Sequence, residues 1–200
     1  MKTTRFFTLV ELLIAAAIIA VLAGIGFAGY RYAQTSAREN ATKSIIHQVA
    51  TALETCYNKY GFYPAADAGS ELKFTFTDGR LTKVEFGTGS TLEKPESSAD
   101  KKKTAGKYFT LFANTLDPEN IKNSGSPDGT GSTITYTLTD SWGGKIYYCY
   151  PGKVNTAKFD LVSAGVDGVF GDSGKDTPET LVKANYIDGK DWICDDIANF

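Results

Sequence analysis

Histidine is almost missing from this chain: His47 is the only one among 200 residues. A zinc site built from several imidazoles is therefore excluded. Cysteine is scarce as well, with Cys56, Cys149 and Cys194 too few for a disulfide-dense miniprotein. Neither sign of charge dominates, since 21 Lys and Arg oppose 23 Asp and Glu for a formal net charge of -2. A whole-chain basic field that would draw nucleic acid is absent. The sequence also has no Gly-x-Ser-x-Gly elbow, Walker loop, His-Glu-x-x-His helix or Cys-x-x-Cys pair. With those signatures gone, the expectation is a protein that is not an enzyme, and no catalytic residue is assigned.

What is present is unevenly distributed. The mean hydropathy of -0.20 suits a soluble chain, yet residues 12–30 run without a charge. Nineteen residues at about 1.5 Å each give roughly 28 Å of helix, close to the hydrocarbon thickness of a bilayer. Lys2 and Arg5 precede the run, and Arg31 and Arg38 follow it. The positive-inside rule then favours a cytoplasmic N-terminus with the bulk of the chain translocated. A secretory signal cut near Ala28 or Gly29 and a plain N-terminal anchor are the simpler alternatives. Glu11 argues for something more specific, because a carboxylate at membrane depth usually has a functional partner or else snorkels to the interface.

Residues 31–60 contain neither proline nor glycine. Ile45, Val49, Leu53, Cys56, Tyr57 and Tyr60 recur at helical spacing on one face. Gly61 and Pro64 then stop the helix. One helix from near Thr8 to Tyr60 is predicted. His47 lies on it with no second metal-type residue near by.

Beyond it, alternating residues 72–77 and 81–86 flank Asp78-Gly79 and predict a hairpin. Residues 93–106 and 123–132 read as polar loops, and 107–116 as a short helix or strand. Strands are expected at 133–139, 144–150 and 158–162. The expected fold class is α+β, with a small antiparallel sheet packed on the amphipathic half of the long helix.

Phe7-Thr8-Leu9-Val10-Glu11-Leu12-Leu13-Ile14 resembles the class III signal of type IV pilins and type II secretion pseudopilins. The stretch from Ala52 to Pro64 resembles the pseudopilin turn that leads from helix to head. Asp140-Ser141-Trp142-Gly143-Gly144, Tyr147-Tyr148-Cys149-Tyr150-Pro151-Gly152, the segment from Phe159 to Gly168, and the terminal Asp195-Asp196-Ile197-Ala198-Asn199-Phe200 resemble, in order, motifs of the major pseudopilin. The resemblance implies a leader at 1–6, a membrane and filament-core helix at 7–30, its extramembrane part at 31–61 and a head at 62–200. It implies cleavage by a prepilin peptidase between Phe6 and Phe7, with Phe6 standing where the family has glycine, and methylation of Phe7. Glu11, the fifth residue after the cut, would pair with the Phe7 amine of a neighbouring subunit. In the family a C-terminal loop holds calcium. By resemblance the carbonyl of Ala164 and the carboxylates of Asp167, Asp195 and Asp196 are its ligands here, with Asp172 and Asp176 as further donors. An insertion at 173–193 interrupts that loop.

The implied role is a structural subunit of a type II secretion pseudopilus, anchored once in a bacterial inner membrane with a periplasmic head. Its partners would be copies of itself, the prepilin peptidase, the inner-membrane platform and minor pseudopilins; nucleic acid is not among them. A type IV pilin for adhesion, motility or DNA uptake, and a membrane-anchored periplasmic binding module, are the alternatives. In an oxidising compartment Cys149 and Cys194 are candidates for a disulfide, but three cysteines allow three pairings and the sequence does not choose.

Overall fold

The computed structural model describes residues 8–93, 103–171, 187–188, 191–192 and 197–199. The chain divides into two compact units, Met1–Ala37 and Arg38–Phe200. One helix, α1 (Leu9–Tyr60), contributes to both.

In the first unit α1 carries Leu9, Val10, Leu12, Leu13, Ile14, Ile18, Ile19, Val21, Leu22 and Phe27, all more than half exposed. Such a helix is long and apolar enough to cross a membrane. An isolated water-soluble helix would not leave this surface uncovered.

In the second unit α1 buries Thr42, Ile45, Ile46, Val49, Ala52, Leu53 and Cys56. The three- and four-residue spacing puts them on one side. Tyr57 and Tyr60 differ from expectation, since Tyr57 is exposed and Tyr60 half-buried. Their rings line the margin of the core instead, Tyr57 stacked on Tyr63 at 4.4 Å and Tyr60 tilted against Tyr108 at 5.6 Å. Gly61 ends the helix at φ +78°, and its N–H donates to the Tyr57 carbonyl at 2.7 Å. That left-handed conformation suits glycine at a helix C-terminus.

An eight-stranded antiparallel sheet packs with this helix. Its long strand β1 (Ala66–Thr77) pairs with β2 (Arg80–Phe86) along one edge, and β2 pairs with β3 (Ser90–Glu93). The turn is Asp78-Gly79, with φ of 50° and 75°, as a two-residue hairpin of primed type requires. Helix α2 (Lys103–Thr115) and helix α3 (Pro118–Asn123) follow. The polar loop expected to end at residue 106 thus gives way to helix by Lys103, and residues 94–102 lie outside the described set.

The loop expected at 123–132 contains a strand, β4 (Gly125–Asp128), which pairs with β5 (Thr133–Leu138). Pro127 hid it from a sequence reading, but an edge strand tolerates a missing N–H. β5 pairs with the second half of β1, from Lys73 to Thr77. β6 (Tyr147–Tyr150) pairs with its first half, at Ala66, Ser70 and Glu71. The strand expected from residue 144 starts only at Tyr147, because Gly143 and Gly144 belong to a turn. β7 (Asp160–Ser163) lies beside β6, and the short β10 (Ile197–Ala198) closes that edge. Strands β8 (Ile187–Asp188) and β9 (Asp191–Trp192) pair as a separate small hairpin. The architecture is the expected α+β arrangement of a pilin-like protein.

Candidate functional site

The processing residues Phe6 and Phe7 lie outside the described residues. Glu11 lies in the first turn of α1, where its Oε2 accepts from the Thr8 N–H at 2.8 Å and the Thr8 hydroxyl at 2.9 Å. The Glu11 N–H donates to Thr8 Oγ1 at 3.2 Å. Threonine at the cap with glutamate three residues on is a capping box, which satisfies N–H groups that the helix cannot satisfy itself. Sequence reading singled out Glu11 as a charge needing a partner and missed Thr8, although the Thr-x-x-Glu spacing was visible.

In the second unit, three of the motif segments meet. Asp140 follows β5 and opens the Ser141-Trp142-Gly143-Gly144 turn. The residue is 5% exposed, and its carboxylate is engaged at both oxygens. Oδ1 accepts from the N–H groups of Trp142 and Gly144 at 2.9 and 2.8 Å, and Oδ2 accepts from the Ser163 hydroxyl at 2.6 Å. A methyl group on Gly144 would stand 2.7 Å from Asp140 Oδ2, so the close turn requires glycine there. Asp160, fully buried at the start of β7, accepts from the N–H groups of Lys153 (2.6 Å), Val154 (2.8 Å) and Asn155 (2.9 Å). Such a nest compensates the buried charge and shapes the loop between β6 and β7. Asn199 extends the β7 edge: its Oδ1 accepts from Leu161 N–H at 2.5 Å, and its Nδ2 donates to the Phe159 carbonyl at 3.1 Å.

Asp160→Ala is expected to cost the second unit about 3 kcal/mol, because three inward-facing donors lose their acceptor at roughly 1 kcal/mol each. Equilibrium urea unfolding followed by tryptophan fluorescence measures it. A cost below about 1 kcal/mol would mean that water replaces the carboxylate.

Of the residues assigned to calcium, Ala164 and Asp167 are described, whereas Asp195 and Asp196 lie outside the described residues. Ala164 is buried directly after β7. Gly165, Gly168 and Gly171 all have positive φ, which folds the following chain into successive turns. Within them Asp167 Oδ1 accepts from Val169 N–H at 2.8 Å. Ile197 pairs with Ser163, so the residue following Asp196 in sequence lies beside the strand that leads into Ala164. Carbonyl and carboxylate oxygens are the donors a hard cation takes. Among the described residues no three His, Cys, Asp or Glu side chains form a cluster that holds a metal.

Cys149 and Cys56 are buried free thiols. Cys149 Sγ donates to the Pro151 carbonyl at 3.1 Å, and burial pushes its thiol up. Burial pushes Cys56 up to about 12. Both shifts hold the sulfurs in the less nucleophilic thiol form. Cys194, the other half of the candidate disulfide, lies outside the described residues.

No curated protein and no solved structure matches the chain. Residues 115–180 match the family model for type II secretion system (T2SS), protein G, a stretch that includes Asp140, Cys149, Asp160, Ala164 and Asp167. That match lies in the second unit, and the first unit holds an apolar helix long enough to span a membrane.

Proposed function

We propose that this chain is a structural subunit of a type II secretion pseudopilus and polymerises through the first half of α1 to drive protein export. The observation that carries it is the pairing of a protein G match over 115–180 with an α1 whose described large apolar side chains between Leu9 and Phe27 are exposed. In a membrane lipid covers them, and in a filament neighbouring copies do. A prepilin peptidase would cut between Phe6 and Phe7, leaving a methylated Phe7 amine for the Glu11 carboxylate of another copy. Opposite charges brought together in a low-dielectric bundle offset each other's burial. The anchor would lie in a bacterial inner membrane with the 62–200 head in the periplasm, and the inner-membrane platform and minor pseudopilins would be its partners.

The carbonyl of Ala164 and the carboxylate of Asp167, joined by Asp195 and Asp196, would hold calcium. The ion would supply positive charge that draws these oxygens together and orders a loop of low apolar content. Its binding to the folded state alone would stabilise the head by linkage.

Mass spectrometry of the mature protein tests the reading. An N-terminal methyl-Phe7 is expected. Loss of everything before about Ala28 would identify an ordinary secreted domain and overturn it.

A further inference from the structure

We propose that a notch between β1 and the β2–β3 turn is a binding site for an organic cation, an ammonium or guanidinium group. The notch exists because β1 changes register. Ala66 pairs with Tyr150 and Ser70 with Tyr148, so four steps along β1 answer two along β6. The extra residues bulge out of the ladder, with Gly69 at φ +79°. The β2–β3 turn closes over the same stretch. Gly87 N–H donates to the Glu71 carbonyl at 2.9 Å, and a side chain on Gly87 would run into the Ser70 hydroxyl. Bulge and turn together enclose an open cavity of about 420 Å³, a size that small-ligand sites have.

No aromatic or branched aliphatic side chain lines this cavity, so an apolar ligand does not suit it. Asp67, Glu71 and Glu85 face Lys73 as the lone cation of the lining. Two of the carboxylates are already answered, Glu71 by Lys145 at 2.5 Å and Lys73 at 3.6 Å, and Glu85 by Lys83 at 2.8 Å. The exposed Asp67 carboxylate has no hydrogen bond or ion pair among the described residues. Ser70, three positions on, is 7% exposed and lines the cavity, and its hydroxyl has no hydrogen-bond partner among the described residues. A buried hydroxyl left without a partner is costly, and an N–H from a ligand would supply one. Thr88 adds a second hydroxyl from the turn. Among the described residues these carboxylates form no cluster that holds a metal. One carboxylate for charge, with hydroxyl oxygens that accept N–H groups, matches an ammonium or guanidinium.

Such a cation comes from a free amine or from a lysine side chain of another polypeptide. The full chain in nonionic detergent micelles is titrated with n-butylammonium chloride and, separately, with the peptide N-acetyl-Gly-Lys-Gly-amide. Backbone amide shifts are followed by NMR. Saturable shifts at Gly69, Ser70, Gly87 and Thr88 are expected. A peptide that binds at least as tightly as butylammonium assigns the site to a protein side chain, and one that binds less tightly assigns it to a free amine. Asp67→Asn should weaken binding about tenfold, the scale of one charge-assisted hydrogen bond, and Ser70→Ala about fivefold. Asp128→Asn, an exposed acid on β4, should change nothing. Unchanged shifts away from the cavity establish that each variant is folded, and the surface variant Asp67→Asn carries the test if Ser70→Ala is not. Equal affinity in wild type and Asp67→Asn overturns the proposal, as does a lack of saturable shifts with either probe. Neutral N-butylacetamide binding as tightly as butylammonium overturns it too.

Discussion

Replacing Glu11 by glutamine is expected to abolish filament assembly while the chain still inserts and its head still folds. Glutamine occupies nearly the same volume and can still accept from Thr8 at the third helical position, so the capping box is kept. Only the charge is lost. In the proposed filament that charge faces the Phe7 amine of a neighbouring copy. Removing one member of a buried ion pair leaves the other uncompensated, at about 3–5 kcal/mol. Because every subunit repeats the contact, the loss applies at each step of polymerisation. Pelleting of sheared filaments, read beside the amount of monomer in the membrane fraction, measures the effect. Filament yield within twofold of wild type would sink the pairing and favour an anchored monomer.

Thr8→Ala is the matched control. It removes the cap and keeps the charge, and should cost only about 1 kcal/mol of helix stability. If Thr8→Ala and Glu11→Gln fail alike, the capping box matters more than the charge.

Phe86→Ala is expected to produce the largest loss of stability in the second unit. Phe86 is fully buried at the end of β2, edge-on to Tyr148 of β6 at 5.0 Å and to Phe112 of α2 at 6.0 Å. It also pairs with Leu72 on β1 and Ser90 on β3. Its ring therefore packs against β6 and α2, while its backbone is held between β1 and β3. Truncating a buried phenylalanine costs about 3–5 kcal/mol, the lost transfer energy plus the cavity that remains. For a unit of this size that is a fall of roughly 6–20 °C in melting temperature. Thermal denaturation followed by circular dichroism reads it, with Phe62→Ala as the comparison. Phe62 stacks on Tyr108 at 4.8 Å but is 40% exposed, so its loss should be much smaller. Equal effects from the two would place Phe86 outside the cooperative core.

The parts of this molecule legible from residues alone are those whose cause is local. Residues 12–30 carry no charge, and a membrane-grade helix follows from that whatever the remainder of the chain does. Asp78-Gly79 makes a hairpin because both residues accept positive φ. Gly61 stops α1 for the same backbone reason. The side of α1 that packs was also readable as far as Cys56, because periodicity reports burial. At Tyr57 it failed: spacing names a face but not where the core beneath it ends.

Tertiary structure decided the remainder. β4 exists because β5 offers it an edge, a fact Pro127 conceals in a one-dimensional reading. Asp140 and Asp160 look like solvated turn acids in sequence, yet both are buried. Their partners show why. Asp160 bends a loop back onto itself, while Asp140 meets Ser163 twenty-three positions away, and its neighbour Ser141 meets Thr42 ninety-nine positions away. Local backbone preference carries no information about such meetings. They form only when the packing of β6 and β7 against α1 excludes water, and a carboxylate inside that packing must then find every donor it needs from the protein.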